Sequence, residues 1–335
     1  MARAADIACL GFAAAIACGG GRGAPARATP EPAPATVSER LLAILPQGAQ
    51  VVVEVDLARL RANPVVGGIV TRALAERDAE VAGLPASPLA GADQLVLAAY
   101  GVGTAQAATL TVLAAPHELA GATRLADGFY AVGPPDWVEQ VEQRVALAAT
   151  GEAKFAIHAA PELLELRGHA MPANAPGASL RVTARLPFDA RIALARLTGL
   201  DAAPGQLSAW GDVADDLALV VDCDAADPGN PAPGGRRGDS SRRLEAMLRG
   251  ALEVLADQPA IRQLGLPASL ADARLVARGS WVRAIIAVGP AHLRRVVERA
   301  AALLGPPGAP ASTPATAPAT PQLSPPATPR GDPPS

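Results

Sequence analysis

The chain has 335 residues, with 29 Lys and Arg against 32 Asp and Glu and a formal net charge of −3. Half of it is apolar, only 3% is aromatic, and it holds 33 prolines and 3 cysteines. The near-neutral balance gives no electrostatic footprint for nucleic acid, and three cysteines build no disulfide scaffold.

Residues 1–17 read as a signal peptide. Arg3 supplies a short basic start, weakened by Asp6, and residues 7–17 are an apolar run. That run suits a signal core and is too short for a bilayer, which needs about 20 apolar residues. It ends Ala15-Ile16-Ala17-Cys18, which reads two ways. It is an Ala-x-Ala cleavage site, leaving a secreted protein with a free Cys18. It also resembles a bacterial lipobox, loosely, because Ala15 stands where such motifs usually carry Leu.

The following residues favour the second reading, with Cys18 as the lipid attachment site. Residues 18–37 hold three consecutive glycines and then Pro25, Pro30, Pro32 and Pro34. Such a segment is a tether that holds a domain off a membrane. The expected partner is thus a membrane, reached through an N-terminal lipid. With Cys9 in the signal, Cys223 is left as the one cysteine of the fold.

From residue 38 a first half is expected, running to 168. Residues 38–40 open a short amphipathic turn ended by Pro46, and 50–57 is a strand rich in β-branched valine. Asn63-Pro64 precedes a helix expected over 65–81. Strands follow at 94–100, 108–114 and 129–132, the first two joined by Gly101-Val102-Gly103. Pro134, Pro135 and Asp136 launch a helix to about 149.

A second half, 169–304, echoes the first. Ala287-Val288-Gly289-Pro290 repeats Ala131-Val132-Gly133-Pro134, and Leu293, Val297 and Glu298 match Trp137, Val141 and Glu142 at the same offset. Trp210-Gly211 precedes the apolar run 217–221 as Tyr100-Gly101 precedes 109–113. The alternating strand 180–186 corresponds to the strand at Val51. Residues 225–241 read as a loop, and 244–264 as one longer helix. The fold class is therefore α+β, two similar halves, each an antiparallel sheet with packed helices. Residues 305–335 hold eleven of the 33 prolines and read as a disordered tail.

Catalytic signatures are thin. No Ser sits in Gly-x-Ser-x-Gly, and His117, His158, His169 and His292 do not cluster in sequence. His117 follows Pro116 at an expected helix start. Cys223 lies between Asp222 and Asp224, and two carboxylates raise a thiol's pKa, the wrong direction for a nucleophile. Asp222, Asp224 and Asp227 are weak metal candidates, since no Glu closes a calcium loop and Pro233 occupies that position. No cofactor is called for.

The stretch Leu45-Pro46-x-x-Ala49-x-Val-Val-Val-x-Val55-Asp56-Leu57-x-x-Leu60 is similar to a group of uncharacterised envelope lipoproteins of high-GC, deltaproteobacteria-like bacteria. The resemblance covers the signal, the tether and about 25 residues beyond. It implies an envelope location and carries no catalytic residues across.

Two functions are weighed. The first is a non-enzymatic, lipid-anchored cell-envelope protein, a binding or scaffold module for a protein, polymer or apolar ligand, held in a cleft between the halves. The second is an envelope hydrolase whose carboxylates, such as Asp56 and the acids between Asp212 and Asp227, meet across a cleft.

Overall fold

The computed structural model describes residues 36–75, 80–81, 84–126, 128–149, 161–171, 177–198, 203–224 and 237–304. The signal, Cys18 with nearly all of the tether, Asp227, His158 and the 305–335 tail lie outside the described residues.

The N-terminal helix α1 (Val37–Ile44) begins on a capping box. The Thr36 hydroxyl accepts from the Glu39 N–H at 3.2 Å, and the Glu39 carboxylate accepts from the Thr36 N–H at 2.8 Å. Strand β1 (Val51–Asp56) follows. Asp56 ends it and caps α2 (Leu57–Ala62) by accepting from the Arg59 N–H at 2.8 Å. Asn63 then folds the chain into α3 (Gly67–Ala75), its side-chain oxygen accepting from the N–H groups of Val65 and Val66. The helix expected over 65–81 is thus shorter. Glu80–Val81 is a two-residue strand, β2, paired with β3 (Leu84–Pro85).

Helix α4 (Ala86–Gly91) leads to β4 (Gln94–Tyr100), β5 (Ala108–Ala114), β6 (Thr123–Ala126), β7 (Phe129–Val132) and α5 (Pro135–Ala149). His117 sits in the exposed loop between β5 and β6 and starts no helix. After α6 (Pro161–Arg167) come β8 (Leu180–Arg185), α7 (Phe188–Thr198), β9 (Gln206–Val213) and β10 (Leu217–Asp224). The expected long helix is two. Helix α8 (Arg237–Ala256) begins within the stretch read as loop, and α9 (Pro259–Leu264) restarts at a proline. Helix α10 (Pro267–Ala271), strands β11 (Arg274–Arg278) and β12 (Trp281–Val288), and α11 (Pro290–Leu303) complete the described chain.

Ten strands form one antiparallel sheet in the order β11-β12-β10-β9-β8-β1-β4-β5-β7-β6. The fold class is α+β, as the sequence indicates. The sheet contains two five-strand sets with one order, β1-β4-β5-β7-β6 and β8-β9-β10-β12-β11. They meet where β1 pairs antiparallel with β8, Val53 opposite Val182 and Glu54 opposite Arg181. The two halves therefore share a continuous ladder, and no cleft opens in the sheet at their junction.

Helices cover both faces, so β4, β5 and β10 are buried on both sides. One cluster gathers α1, α5 and α6 over Val52, Val96 and Val112. A second lies under α2 and α4 on the opposite face, around Leu95, Leu113 and Tyr130. The third fills the second set, with Leu219, Ile286, Leu252, Leu270 and Leu293. The segments matched in sequence differ in packing. Ala131 is buried while Ala287 is exposed and Val288 is buried. Accordingly α5 joins the first cluster, whereas α11 packs in the third, close to α3.

Candidate functional site

An open groove of about 670 Å³ lies wholly within the first set. Its floor is a single row across the sheet, running Asp56, Gln94, Ala114, Phe129 in successive strands. The registers put these residues directly opposite one another, so their side chains share a face. Val37 and Arg40 of α1 form the near wall.

Each polar member of the row has spare bonding capacity. Asp56 uses Oδ1 to cap α2, and no bond within the described residues takes Oδ2. The Oε1 atom of Gln94 is buried without a hydrogen-bond partner. Arg40 is exposed, with its guanidinium carbon 5.4 Å from the centre of the Phe129 ring, a cation–π contact. Asp93 also lines the groove, tied to Arg61 at 2.9 Å.

Two of the other carboxylates weighed from the sequence, Asp212 and Asp222, are committed. Arg59 links Asp56 and Asp212 through opposite ends, its backbone N–H donating to Asp56 and its guanidinium to Asp212. Both Asp212 oxygens are in use: Oδ1 accepts from Arg59 Nε at 2.8 Å and from the Ser179 hydroxyl at 2.7 Å, and Oδ2 accepts from Nη2 at 2.5 Å. A carboxylate saturated by a bidentate guanidinium is poorly placed to act as a base. Asp222 is 1% exposed, and Arg283 grips it bidentately at 2.8 and 2.7 Å. Its Oδ2 also lies 3.1 Å from His169 Nδ1. Asp222 is thereby an anchor for Arg283 and not an open metal ligand. Among the described residues no group of three or more His, Cys, Asp or Glu is placed to hold a metal ion. Cys223 is buried, and its thiol is pushed up to about 12, first by burial and then by Asp222 and Asp224.

Two further charged groups lock the junction. Glu54, 6% exposed, accepts from Arg167 of α6 at 2.6 and 2.8 Å and from the Ser38 hydroxyl. The hydrogen bond and charge of Glu54, aided by Glu39, hold Arg167 above its ordinary pKa although burial opposes this most strongly. Beyond α6, His169 stacks on Trp281 with ring centres 4.0 Å apart. A smaller pocket of about 280 Å³, lined by Glu165, Arg185 and Gln206, opens beside that stack.

Sequence reading singled out Asp56 and missed Gln94, Phe129 and Arg40. Their signal is weak, since the row exists only once four strands are paired in register. Glu54 carried a better signal, a lone acid inside Val-Val-Val-Glu-Val.

No known family profile matches the chain, and no curated protein matches it. Among solved structures, TP0453 in crystal form I aligns at 8% identity and a TM-score of 0.37, covering 77% of this chain and 96% of that one. Crystal form III aligns at 7% identity and 0.41, covering 78% and 97%. Among the described residues no helix is long and apolar enough to cross a membrane.

Proposed function

We propose that this chain is a non-enzymatic, lipid-anchored cell-envelope protein that binds a ligand in the groove of its first five strands. The observation that carries the binding reading is the contrast in bonding. The interior carboxylates Glu54, Asp212 and Asp222 are saturated by arginine, whereas Asp56, Gln94 and Arg40 in the groove keep unused capacity. The location reading rests on the lipobox-like Ala15-Ile16-Ala17-Cys18 and on the resemblance around Val51. The shared strand order supports a fold built from two copies of one motif. The hydrolase alternative needs a free carboxylate beside Asp56, and Asp212 does not supply one.

Intact mass analysis of the mature protein tests the anchor. A diacyl or triacyl adduct lost in Cys18→Ser is the expected result, and an unmodified Cys18 refutes it. A photo-cross-linker placed at exposed Ala62, on the groove wall, tests the site. It is expected to capture a discrete envelope component that a cross-linker at exposed Arg295 does not. Equal capture at both positions removes the groove from the proposal.

A further inference from the structure

We infer that the groove takes a short zwitterionic peptide, about four residues long, laid across the strands with its amine at Asp56 and its carboxylate at Arg40. This deepens the groove reading and rests on it.

The two ends of the row are oppositely charged. At one end stands the Asp56 carboxylate, with Oδ2 open to a cation. At the other stands the Arg40 guanidinium over Phe129, with no carboxylate partner among the described residues. Asp56 and Phe129 lie on strands three spacings apart, and neighbouring strands are about 4.8 Å apart, so the backbone at the two ends of the row is about 14 Å apart. An extended chain advances about 3.4 Å per residue, so four residues fill that span. A zwitterion whose charges are separated by only two or three bonds reaches one end and leaves the other unpaired.

The middle of the row also fits a peptide. Gln94 Oε1 is buried and unpartnered, and a turn of its side chain into the groove would give it the backbone N–H that it lacks. Ala114 beside it leaves room for main chain to lie close. Ala58, Ala62 and Pro116 give shallow apolar walls, suited to small side chains and not to a long alkyl chain. Two fixed charges of opposite sign also set the direction in which the peptide lies.

The probe is tetra-alanine with free termini, titrated calorimetrically into the full mature chain. The variants are Asp56→Asn and Arg40→Gln. Asn caps a helix as well as Asp, and Arg40 is exposed, so both leave the fold in place. Asp56→Asn is expected to weaken tetra-alanine roughly tenfold or more, and N-acetylation of the peptide to do the same. Combined, the two changes are expected to cost no more than either alone. Arg40→Gln and C-terminal amidation form the second such pair. Independent, additive losses overturn the assignment of each terminus to its residue.

Chitotetraose and laurate are run beside it, read by the side-chain amide resonance of Gln94. If either one moves that resonance and tetra-alanine does not, the peptide inference fails and the groove reading stands. If none of the three moves it at millimolar concentration, both fail.

Discussion

Cys223 shows how one residue couples burial to pH. Its thiol is 2% exposed and pushed up to about 12, whereas an unfolded thiol titrates near 8.5. Between those values the unfolded chain releases a proton that the folded chain retains. Stability at Cys223 is therefore complete below about pH 8.5 and falls as pH rises toward 12. Denaturant midpoints measured from pH 8 upward are expected to decline less steeply in Cys223→Ala than in the parent. The same burial predicts that thiol reagents leave Cys223 unmodified until the protein unfolds, which peptide mass mapping reads directly.

Glu54 makes the complementary case. Replacing it with Ala strips the partner from Arg167, whose side chain is 18% exposed. Removing one member of a buried pair costs roughly 3–5 kcal/mol, because the other is left uncompensated. In a domain of this size that corresponds to a fall in Tm of roughly 6–20 °C, measurable by calorimetry. Glu54→Ala with Arg167→Leu is expected to recover most of it, since the buried charge is then gone.

At the scale of elements, local chemistry explains which boundaries were readable. Strands β1, β4, β5, β7 and β8 follow from β-branched runs and alternation, and α5 from Pro135 and Asp136 at its start. The short helices α2, α6, α9 and α10 are six, seven, six and five residues long, too short for periodicity to reveal. They form because a cap, a proline or a salt bridge fixes them.

Asn63 is the most economical of these fixings. Its carbonyl oxygen serves Val65 and Val66, and its amide donates to the carbonyls of Val213 and Ala214 at 2.9 and 3.0 Å. One side chain thus starts α3 and ties it to the β9–β10 turn. Asn63→Ala is expected to cost about 2 kcal/mol with an unchanged urea m-value. Gly103 behaves likewise in the β4–β5 hairpin. Its φ is +84°, and a Cβ there would sit 2.8 Å from the backbone of Ala190 in α7. Gly103→Ala is expected to destabilise by at least about 1 kcal/mol, through strain and displaced contact together.

Over the whole molecule, the repeated landmarks in the sequence foreshadow the common strand order, but not the join. Nothing local in Val51–Asp56 says whether its second neighbour is a loop, a helix or another strand. That is decided by pairing with β8 roughly 130 residues away. The groove was hidden for the same reason, since its four floor residues are contiguous only in the finished sheet. The join also predicts how a fragment behaves. Residues 38–168 alone leave β1 as an unpaired edge reading Val-Val-Val-Glu-Val, with no proline to blunt it. Sedimentation is expected to show that fragment self-associating, and Val52→Pro, which removes a donor on the side that β8 covers, to return it to monomer.

During synthesis the same join imposes a wait. Chains emerge at about 5–20 residues per second, so β1 stays without its partner for roughly 7–25 seconds after it appears. Through that interval a sticky strand edge is open to every neighbouring nascent chain. The ladder that unites the finished sheet is thus its most exposed liability at birth.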